Sequence, residues 1–528
     1  MRRLLRAAAA LVVIFGASVS VGHATVASKA PTLASRVAAI VHRPQLRHTQ
    51  FGAEFYDLDS HRAIYSLNAE KFFLAASTTK LLTEGTTLAL LGGDFRFTTK
   101  VYRTGPISAD GTLHGDVVLV ASGDPNLSNR IAPDGTLAFQ NEDHSYDGMP
   151  ETKAVAGDPL AVLRDIARQV AARGIKHVTG RVTVDASLYP GGFAEVGTGA
   201  VISPIMVNDN IVDFTLVPGS AIGDPVAMTV SPETPYVRFI NKAITAARGS
   251  ERTIELDSDK TDASGNHTVT VSGSLPAGGP SILYAYDVPS PQRFAEDALT
   301  LALQQGGVSV DEAPGNVALP AAAAAYSADS VIAEHVSPPL REDVKVTLKV
   351  SDNLHAGTMP YLWAVYRAHA KTKFARVAFD LERVFMQSGG LDTAQIVQND
   401  GLGGEAYIQP QFMVRYLAFM RTKPFFSDLY RGLPVLGVDG TLFNIQTRSP
   451  AAGKVHAKTG TWSSGDLLND RGLVSAKGLA GYMTTVDGRH LAFCVYLNNM
   501  TAAHGQNGGH IAGEILGELA TAGYLYKP

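Results

Sequence analysis

The sequence predicts an α/β (mixed α+β) fold in which one or two mainly β domains are inserted into a principal domain. Strand and helix patterns occur together at both ends of the chain, whereas short Val- and Thr-rich runs dominate the middle. With 528 residues, of which 45% are hydrophobic, the chain has more apolar residues than a single hydrophobic core requires. The net charge of −4 is small and no basic stripe is present, so we expect no nucleic-acid partner.

The first residues predict a secretory signal peptide over residues 1–24. Three arginines among the first six residues precede an apolar run, and small residues occur near Ala24. An uncleaved membrane anchor is the alternative, although the run is short for a full span. We expect an exported protein in the periplasm or cell-wall space, with no stable membrane anchor.

The N-terminal part of the principal domain, residues 31–95, predicts two strands and a helix. The strands cover 51–59 and 63–67, with a polar turn between them. From Ser77 onward, apolar residues recur at helical spacing until Gly92 and Gly93, where glycine can end a helix.

The middle of the chain predicts one or two inserted domains. Gly, Pro, Asp and Ser recur there among short strand-like runs, and helices are expected over 158–173 and 291–307. The expected bounds are 96–215 with 285–334 for one inserted domain and 216–284 for a second, nested domain.

The C-terminal part, residues 335–528, is expected to complete the principal domain. Helices are predicted over 354–369 and 373–388, and a strand from Val455 to Trp462. Two further strands flank a turn at Asp487 and Gly488, and a helix follows from Gly509. We expect one sheet made from both ends of the chain.

Three short motifs carry the chemistry. They are, in chain order, Ser77-Thr78-Thr79-Lys80, Ser351-Asp352-Asn353 and Lys458-Thr459-Gly460. Each tripeptide or tetrapeptide alone has an ordinary structural explanation, such as a helix cap or a strand end. Their order and their predicted settings on a helix, a loop and a strand favour a functional site.

Ser77 and Lys80 are the candidate nucleophile and base. At positions i and i+3 of a helix they project from one face, which allows a hydrogen bond. Lys80 can accept the Ser77 proton only when neutral. Burial beside a second cation such as Lys458 would lower its pKa as required.

The other two motifs supply the remaining candidates. Ser351 can pass a proton to a leaving amine, and Asn353 can hold a substrate amide. Lys458 and Thr459 are expected to bind a substrate carboxylate from the strand. The backbone N–H groups of Ser77 and Thr461 are expected to form an oxyanion hole.

Other chemistry is not indicated. Zinc signatures, a Walker A loop and a dinucleotide fingerprint are missing, so we expect no cofactor and no metal. His355 and His456 lie beside the motifs, and a structural role is favoured for His456. Cys494 is the single cysteine and is expected on a buried strand, so an intramolecular disulfide is excluded.

The three motifs occur in the order found in class A β-lactamases and penicillin-binding proteins. The chain resembles the low-molecular-mass class C penicillin-binding proteins, the D-alanyl-D-alanine carboxypeptidase/endopeptidase family. Further matching stretches are Ser122–Leu127, Ser203–Asn210, Leu433–Leu442 and Ala457–Thr461. The resemblance implies a penicillin-binding transpeptidase/β-lactamase-like catalytic domain with two inserted domains.

The resemblance also implies the reaction and its partners. Peptidoglycan stem peptides are the implied substrates, and β-lactam antibiotics are the implied covalent inhibitors, both acylating a serine. Two departures affect the expected substrate preference and rate. Asp400–Glu405 lacks the hydroxyls of the family's usual segment, and Leu354–Gly357 lacks its usual tyrosine and glutamate.

Two other functions remain open from the sequence. A β-lactamase or esterase of the same fold would differ in how fast water clears the acyl-enzyme. A cell-wall-binding protein with inactive catalytic machinery is the other alternative, and the intact motifs count against it. Carboxypeptidase or endopeptidase dominance, the diamino acid of the stem peptide and a homodimer are left undecided.

Overall fold

The computed structural model describes residues 31–315 and 326–528, so the predicted signal peptide lies outside the described residues. No helix within these two ranges combines the length and the apolar character needed to span a membrane. The α-helices of the described residues are α1 (Leu33–Val41), α2 (Lys80–Leu90), α3 (Ala161–Ala172), α4 (Pro291–Gln305), α5 (Leu340–Val350), α6 (Asn353–Leu362), α7 (Phe374–Ser388), α8 (Pro410–Arg421), α9 (Phe426–Gly432) and α10 (Gly508–Tyr524).

The strands of the described residues form several sheets. From the N-terminus they are β1 (Gln50–Asp57), β2 (Arg62–Leu67), β3 (Phe73–Leu74), β4 (Thr98–Arg103), β5 (Thr112–Leu113), β6 (Val117–Val120), β7 (His177–Val178), β8 (Val182–Asp185), β9 (Phe193–Ala194), β10 (Val201–Ile202), β11 (Ile211–Val217), β12 (Ala227–Ser231) and β13 (Val237–Asn241). The others are β14 (Ile244–Ala246), β15 (Glu255–Thr261), β16 (His267–Ser272), β17 (Ser274–Pro276), β18 (Ile282–Asp287), β19 (Ser309–Val310), β20 (Val331–Val336), β21 (Ile396–Val397), β22 (Tyr407–Ile408), β23 (Val455–Asp466), β24 (Arg471–Thr484) and β25 (His490–Ala503).

A five-stranded sheet joins the two ends of the chain, as the sequence predicted. Its order is β2-β1-β25-β24-β23, and β1 pairs antiparallel with β25. The predicted hairpin is formed by β24 and β25, with Gly488 at a φ of 92° in the turn. Helix α10 packs on β24 and β25, and α8 packs on β25 and β1. The sheet prediction is confirmed.

Helix α2 lies at the centre of a helical cluster. Residues Lys80 to Leu88 are all buried, and α2 contacts α5, α6, α7 and α9. The Trp363 indole N–H donates to Thr87 Oγ1 over 2.9 Å, which satisfies both polar groups in a buried setting. This packing fixes the start of α2, where the first motif lies.

The middle of the chain is rich in strands around its own core. Strands β20-β4-β6-β8 form one sheet, β12-β11-β18 a second and β13-β16-β15 a third. Their buried apolar residues form one cluster between Val101 and Ala333, against which α3 and α4 also pack. The division into inserted domains at 96–215 with 285–334 and 216–284 stays a proposal, because β11 pairs across these bounds with β12.

Several helices differ from the sequence expectations. Helix α3 begins at Ala161, and the helix expected over 354–369 is α6 followed by a π-helical turn at Trp363–Arg367. Pro360 lies inside α6 and lacks a backbone N–H, which explains the irregular continuation. Helix α5 was missed, although Leu340, Val344 and Leu348 recur at helical spacing.

Candidate active site

Ser77 lies on a 3-10 turn, Ala76–Thr79, that leads directly into α2. Residues i and i+3 of a 3-10 turn eclipse each other, so Ser77 and Lys80 share a face. Lys80 Nζ donates to Ser77 Oγ over 3.0 Å. The structure therefore brings the candidate nucleophile and base together, as the spacing predicted.

Lys80 is fully buried, and its ammonium contacts hydrogen-bond acceptors but no carboxylate of the described residues. Nζ donates to the Ser351 carbonyl oxygen at 2.8 Å and to Asn353 Oδ1 at 2.5 Å. Burial lowers the pKa of Lys80 to about 8, while the charges of Asp352, Glu195 and other carboxylates oppose this shift. The expected lowering is present, and its main cause is burial.

Ser351 occupies the bend between α5 and α6, with a φ of 67° in the left-handed region. Its Oγ accepts from Lys458 Nζ at 2.8 Å and lies 3.3 Å from Lys80 Nζ. Asp352 caps α6, because its side chain accepts from the His355 N–H at 2.9 Å. The Ser351 hydroxyl thus connects the two lysines.

Lys458 lies on β23 and is fully buried. Besides Ser351 Oγ, its ammonium donates to the Thr459 carbonyl oxygen at 2.9 Å. Burial and the nearby charges of Lys80 and Lys477 lower the pKa of Lys458 well below its usual range. We call Ser77, Lys80, Ser351, Asn353 and Lys458 the lysine cluster.

Gly460 lets β23 approach the turn that carries Ser77. A Cβ atom at this position would lie 2.5 Å from the Ala75 carbonyl oxygen and 3.1 Å from the Ser77 nitrogen. No side chain larger than hydrogen fits there, so glycine is required by the close approach. Thr461 follows directly and, like Ser77, borders the cavity described next.

A cavity of about 380 Å³ opens beside Ser77. Among the predicted site residues it is lined by Ser77, Ser351, Thr459 and Thr461. The Thr459 hydroxyl lies 2.7 Å from Thr441 Oγ1. A smaller cavity, also bordered by Ser77, reaches Asn353. Lys80 and Lys458 line neither cavity and lie behind their walls.

Tyr146 was not found by sequence reasoning. Its hydroxyl donates to the Ser351 carbonyl oxygen at 2.7 Å and lies 3.1 Å from Asn353 Oδ1, the same two acceptors that Lys80 uses. Tyr146 also borders both cavities beside Ser77. It comes from the irregular segment between β6 and α3, where no local pattern marks it.

A second group of buried charges lies next to the lysine cluster. We call it the arginine–histidine cluster, and its members are Arg130, Asp143, His144, Asp209, Asp213, Asp343 and His355. Arg130 donates to Asp143 at 3.0 and 2.7 Å and to Asp209 at 2.7 Å. His355 Nε2 lies 3.1 Å from Asp209 Oδ1, so this histidine is part of the buried ion-pair network.

Parts of this cluster have the residue types of a metal site. Asp143, His144 and Asp209 form one such group, and Asp209 and His355 form another with the neighbouring Asp352. However, the Arg130 guanidinium already contacts Asp143 and Asp209, so a cation compensates their charge. The donor set fits an internal ion-pair network better than a metal site.

The other residues that the sequence analysis singled out make packing or hydrogen-bond contacts within the fold. Cys494 is fully buried on β25, and burial raises the pKa of its thiol. His456 stacks on Tyr430 with ring centroids 4.4 Å apart. Asp400 Oδ1 accepts from the N–H groups of Leu402, Gly403 and Gly404. These hydrogen bonds hold the Asp400–Glu405 segment, which differs from the family's usual sequence, beside Ala76.

The fold and the three motifs around one cavity define the class of acyl-serine enzymes that includes penicillin-binding proteins and class A β-lactamases. The family model of the D-Ala-D-Ala carboxypeptidase 3 (S13) family matches residues 33–516. The chain belongs to this family of serine-type D-Ala-D-Ala carboxypeptidases, and the prediction of its family is confirmed.

Individual relatives agree with this assignment. A D-alanyl-D-alanine carboxypeptidase of an Actinomadura species is 28% identical, with 93% of this chain and 87% of the relative covered. The D-alanyl-D-alanine carboxypeptidase DacB of Haemophilus influenzae is 23% identical over 84% of both chains. The crystal structure of penicillin binding protein 4 (dacB) from H. influenzae superposes with a TM-score of 0.68 at 19% identity, covering 93% of this chain and 99% of that one. The predicted fold class is confirmed.

Proposed function

We propose that this protein is an exported DD-peptidase that cleaves peptidoglycan stem peptides through an acyl-enzyme on Ser77. The observation that carries the proposal is the 3.0 Å contact between Ser77 Oγ and Lys80 Nζ beside the cavity. Membership of the S13 family supports a D-alanyl-D-alanine terminus as the substrate. The N-terminal pattern over residues 1–24 supports export to the periplasm or cell-wall space.

Acylation begins with neutral Lys80. It accepts the proton of Ser77 as Oγ attacks the carbonyl carbon of the penultimate D-Ala. The backbone N–H groups of Ser77 and Thr461 stabilise the oxyanion of the tetrahedral intermediate. Asn353 Oδ1 is occupied by Lys80, so the Asn353 Nδ2 group is the donor left for a substrate amide.

Release of the terminal residue needs a proton on its amine. The Ser351 hydroxyl lies between the two lysines and can donate this proton while it recovers one from Lys80. The C–N bond then breaks and leaves an ester on Ser77. Water attacks the ester with Lys80 again as base, which restores the free serine.

The same steps serve two peptide substrates. When the leaving amine belongs to a terminal D-Ala the enzyme acts as a carboxypeptidase, and when it belongs to a cross-linked diamino acid it acts as an endopeptidase. A β-lactam acylates Ser77 by ring opening, so no leaving group departs. The H. influenzae structure complexed with a novel β-lactam, at 20% identity and a TM-score of 0.67, is consistent with such inhibition.

Intact mass spectrometry tests the proposal. The purified mature protein is incubated with benzylpenicillin, and any adduct is located by peptide mapping. A penicilloyl group on Ser77 that persists supports the DD-peptidase. An unmodified protein with the penicillin destroyed favours a β-lactamase, and intact penicillin with unmodified protein favours an inactive cell-wall-binding protein.

A matched variant separates Ser77 from other nucleophiles. Ser77→Ala removes one hydroxyl and leaves Lys80 with its Ser351 and Asn353 acceptors. We expect no adduct on this variant. An equal adduct on Ser77→Ala would refute the assignment of the nucleophile. Release of D-Ala from a stem pentapeptide, compared with cleavage of cross-linked dimers, then measures which peptidase activity dominates.

A further inference from the structure

The cavity beside Ser77 contains a cationic side chain that no motif includes. Lys477, on β24, is the one Lys or Arg among the residues lining this cavity in the described part of the chain. Lys458, which the sequence analysis expected to bind a carboxylate, is fully buried and donates to Ser351 and Thr459 instead. A ligand in the cavity therefore meets Lys477 directly.

The position of Lys477 is set by the sheet. It pairs in register with Thr461 on β23, and its Nζ donates to Thr461 Oγ1 at 2.8 Å. An ammonium group has three donors, and Thr461 accepts one of them. No carboxylate in residues 31–315 and 326–528 forms a salt bridge with Lys477, although Glu142, which lines the same cavity, acts on it through its charge. The two remaining N–H donors of Lys477 are therefore available to a ligand.

Two further features favour an anion at this place. The 17-residue helix α10 begins at Gly508, and Asn507, Gly509 and His510 from its N-terminal end line the same cavity. The positive end of the helix dipole therefore acts together with the ammonium. Burial lowers the pKa of Lys477 to about 8, with the charge of Glu142 opposing this, so most of the lysine is protonated at pH 7.

We infer that Lys477, together with the Thr461 hydroxyl, binds the C-terminal carboxylate of the peptide substrate and the corresponding carboxylate of penicillin. The inference rests on the proposed function, since it assigns part of the same site. Lys458 then acts on Ser351, where its buried ammonium donates to the Oγ. Lys477 is a specificity residue that recognises substrates with a free terminal carboxylate.

The test compares two ligands that differ in one charge. Acylation of Ser77 is followed for benzylpenicillin and for its methyl ester, with the natural protein, Lys477→Met and Lys477→Arg. For each variant, the fold-change in the acylation rate with the free acid is divided by the fold-change with the ester. This ratio cancels any general damage to the site, because such damage slows both ligands equally. Lys454→Met serves as the charge control, because Lys454 is exposed and lies outside the cavity lining.

We expect Lys477→Met to slow acylation by the free acid about ten- to a hundredfold, the size of a lost charge-assisted hydrogen bond. Acylation by the ester should stay within about twofold, as should both ligands with Lys454→Met. Lys477→Arg should retain most of the preference for the acid, because it keeps the charge. Equal losses for acid and ester, or no loss with the acid, would overturn the inference.

A binding measurement decides the inference without acylation. In the Ser77→Ala background, NMR titration compares an N-acetylated peptide ending in D-Ala-D-Ala with its C-terminal amide. We expect tighter binding of the free carboxylate, and we expect Lys477→Met to erase the difference. Failure of the natural protein to form an adduct with either penicillin would count against the proposed function. A preference for the carboxylate that survives Lys477→Met would count against the inference alone.

Discussion

The lysine cluster and the arginine–histidine cluster are both buried and both charged, yet their charges are balanced in opposite ways. Lys80 and Lys458 face carbonyl, amide and hydroxyl oxygens, and no carboxylate within residues 31–315 and 326–528 contacts either ammonium directly. Arg130 and the histidines face carboxylates directly. Asp352 acts on both, through its charge on Lys80 and on His355.

The difference appears in the direction of the pKa shifts. Burial lowers the pKa of both lysines. Burial also opposes the charge on His144 and His355, but their carboxylate partners outweigh it and raise both pKa values well above the usual range. Burial with weak compensation produces a reactive base, whereas burial with direct ion pairs produces a fixed structural charge.

The largest expected effect comes from removing the base. Lys80→Met should slow acylation of Ser77 by about a thousandfold or more, because no other group in the described structure contacts Ser77 Oγ as a base. The free energy of unfolding should change by about 1 kcal/mol at most, since a buried charge without a carboxylate partner is removed. Stopped-flow acylation and urea unfolding measure the two quantities.

The charge of Lys80 alone is expected to be insufficient. Lys80→Arg keeps a cation but cannot become neutral near pH 8, so its acylation rate should fall about as far as that of Lys80→Met. Substantial activity in Lys80→Arg would show that the cluster works by electrostatics rather than by proton transfer.

The next effect concerns the paired cluster and should appear in stability. Asp209→Asn leaves Arg130, His144 and His355 with less compensation, and should lower the free energy of unfolding by about 3–5 kcal/mol. Asp257→Asn, at an exposed strand position, should change it by no more than about 0.5 kcal/mol. Equal stability of the two variants would contradict the view that ion pairs hold this cluster.

A smaller effect is the pH dependence of acylation. With a pKa of about 8 for Lys80, the neutral fraction rises about fiftyfold between pH 6 and pH 8 and then levels off. The acylation rate should follow this rise.

The two clusters should also change the free energy of unfolding in opposite directions as pH rises. A lysine with a lowered folded pKa binds fewer protons than in the unfolded chain, so its contribution improves as pH rises from about 8 toward 10.5. The histidines have raised folded pKa values. Their contribution is full below 6.5 and is lost as pH rises through the folded values.

The smallest effect should come from Asp352, which acts on both clusters. The charge of Asp352 raises the pKa of Lys80 more than the charge of any other carboxylate does. Asp352→Asn should therefore move the midpoint of the acylation profile toward lower pH. Asparagine also caps helices, so the stability of α6 should change by about 1 kcal/mol or less. A midpoint that does not move would show that Asp352 acts only as a cap.

The sequence predicted the parts of the site that depend on local geometry. The spacing of Ser77 and Lys80 places both on one face of a turn, and Gly460 belongs to a strand with a clear apolar pattern. Tyr146 and Lys477 reach the cavity from an irregular loop and from a neighbouring strand, and only the tertiary arrangement brings them there. Lys477 could have been suspected from a register argument, because it faces Thr461 across the hairpin.

The arginine–histidine cluster was beyond prediction for the same reason. Arg130 and Asp209 come from the middle of the chain, and His355 comes from α6. No spacing in the sequence links these positions, although Asp209 lies in one of the stretches that resemble the family. The β24–β25 hairpin could be predicted because its strand pattern and its turn signal are both local. The pairing of β25 with β1 was inferred from the presence of strand patterns at both ends of the chain.

The pairing of β1 with β25 determines when during biosynthesis the protein acquires its site. Ser77 and Lys80 are synthesised early, shortly after β1, whereas Gly460, Thr461 and Lys477 follow near the end. A nascent chain that stops before β23 has the nucleophile and its base, but it lacks the opposing strand and the part of the cavity wall that β23, β24 and α10 supply. Because domains fold as units, the site can form only when translation is almost complete. A partly made chain therefore carries Ser77 and Lys80 without the strand that faces them.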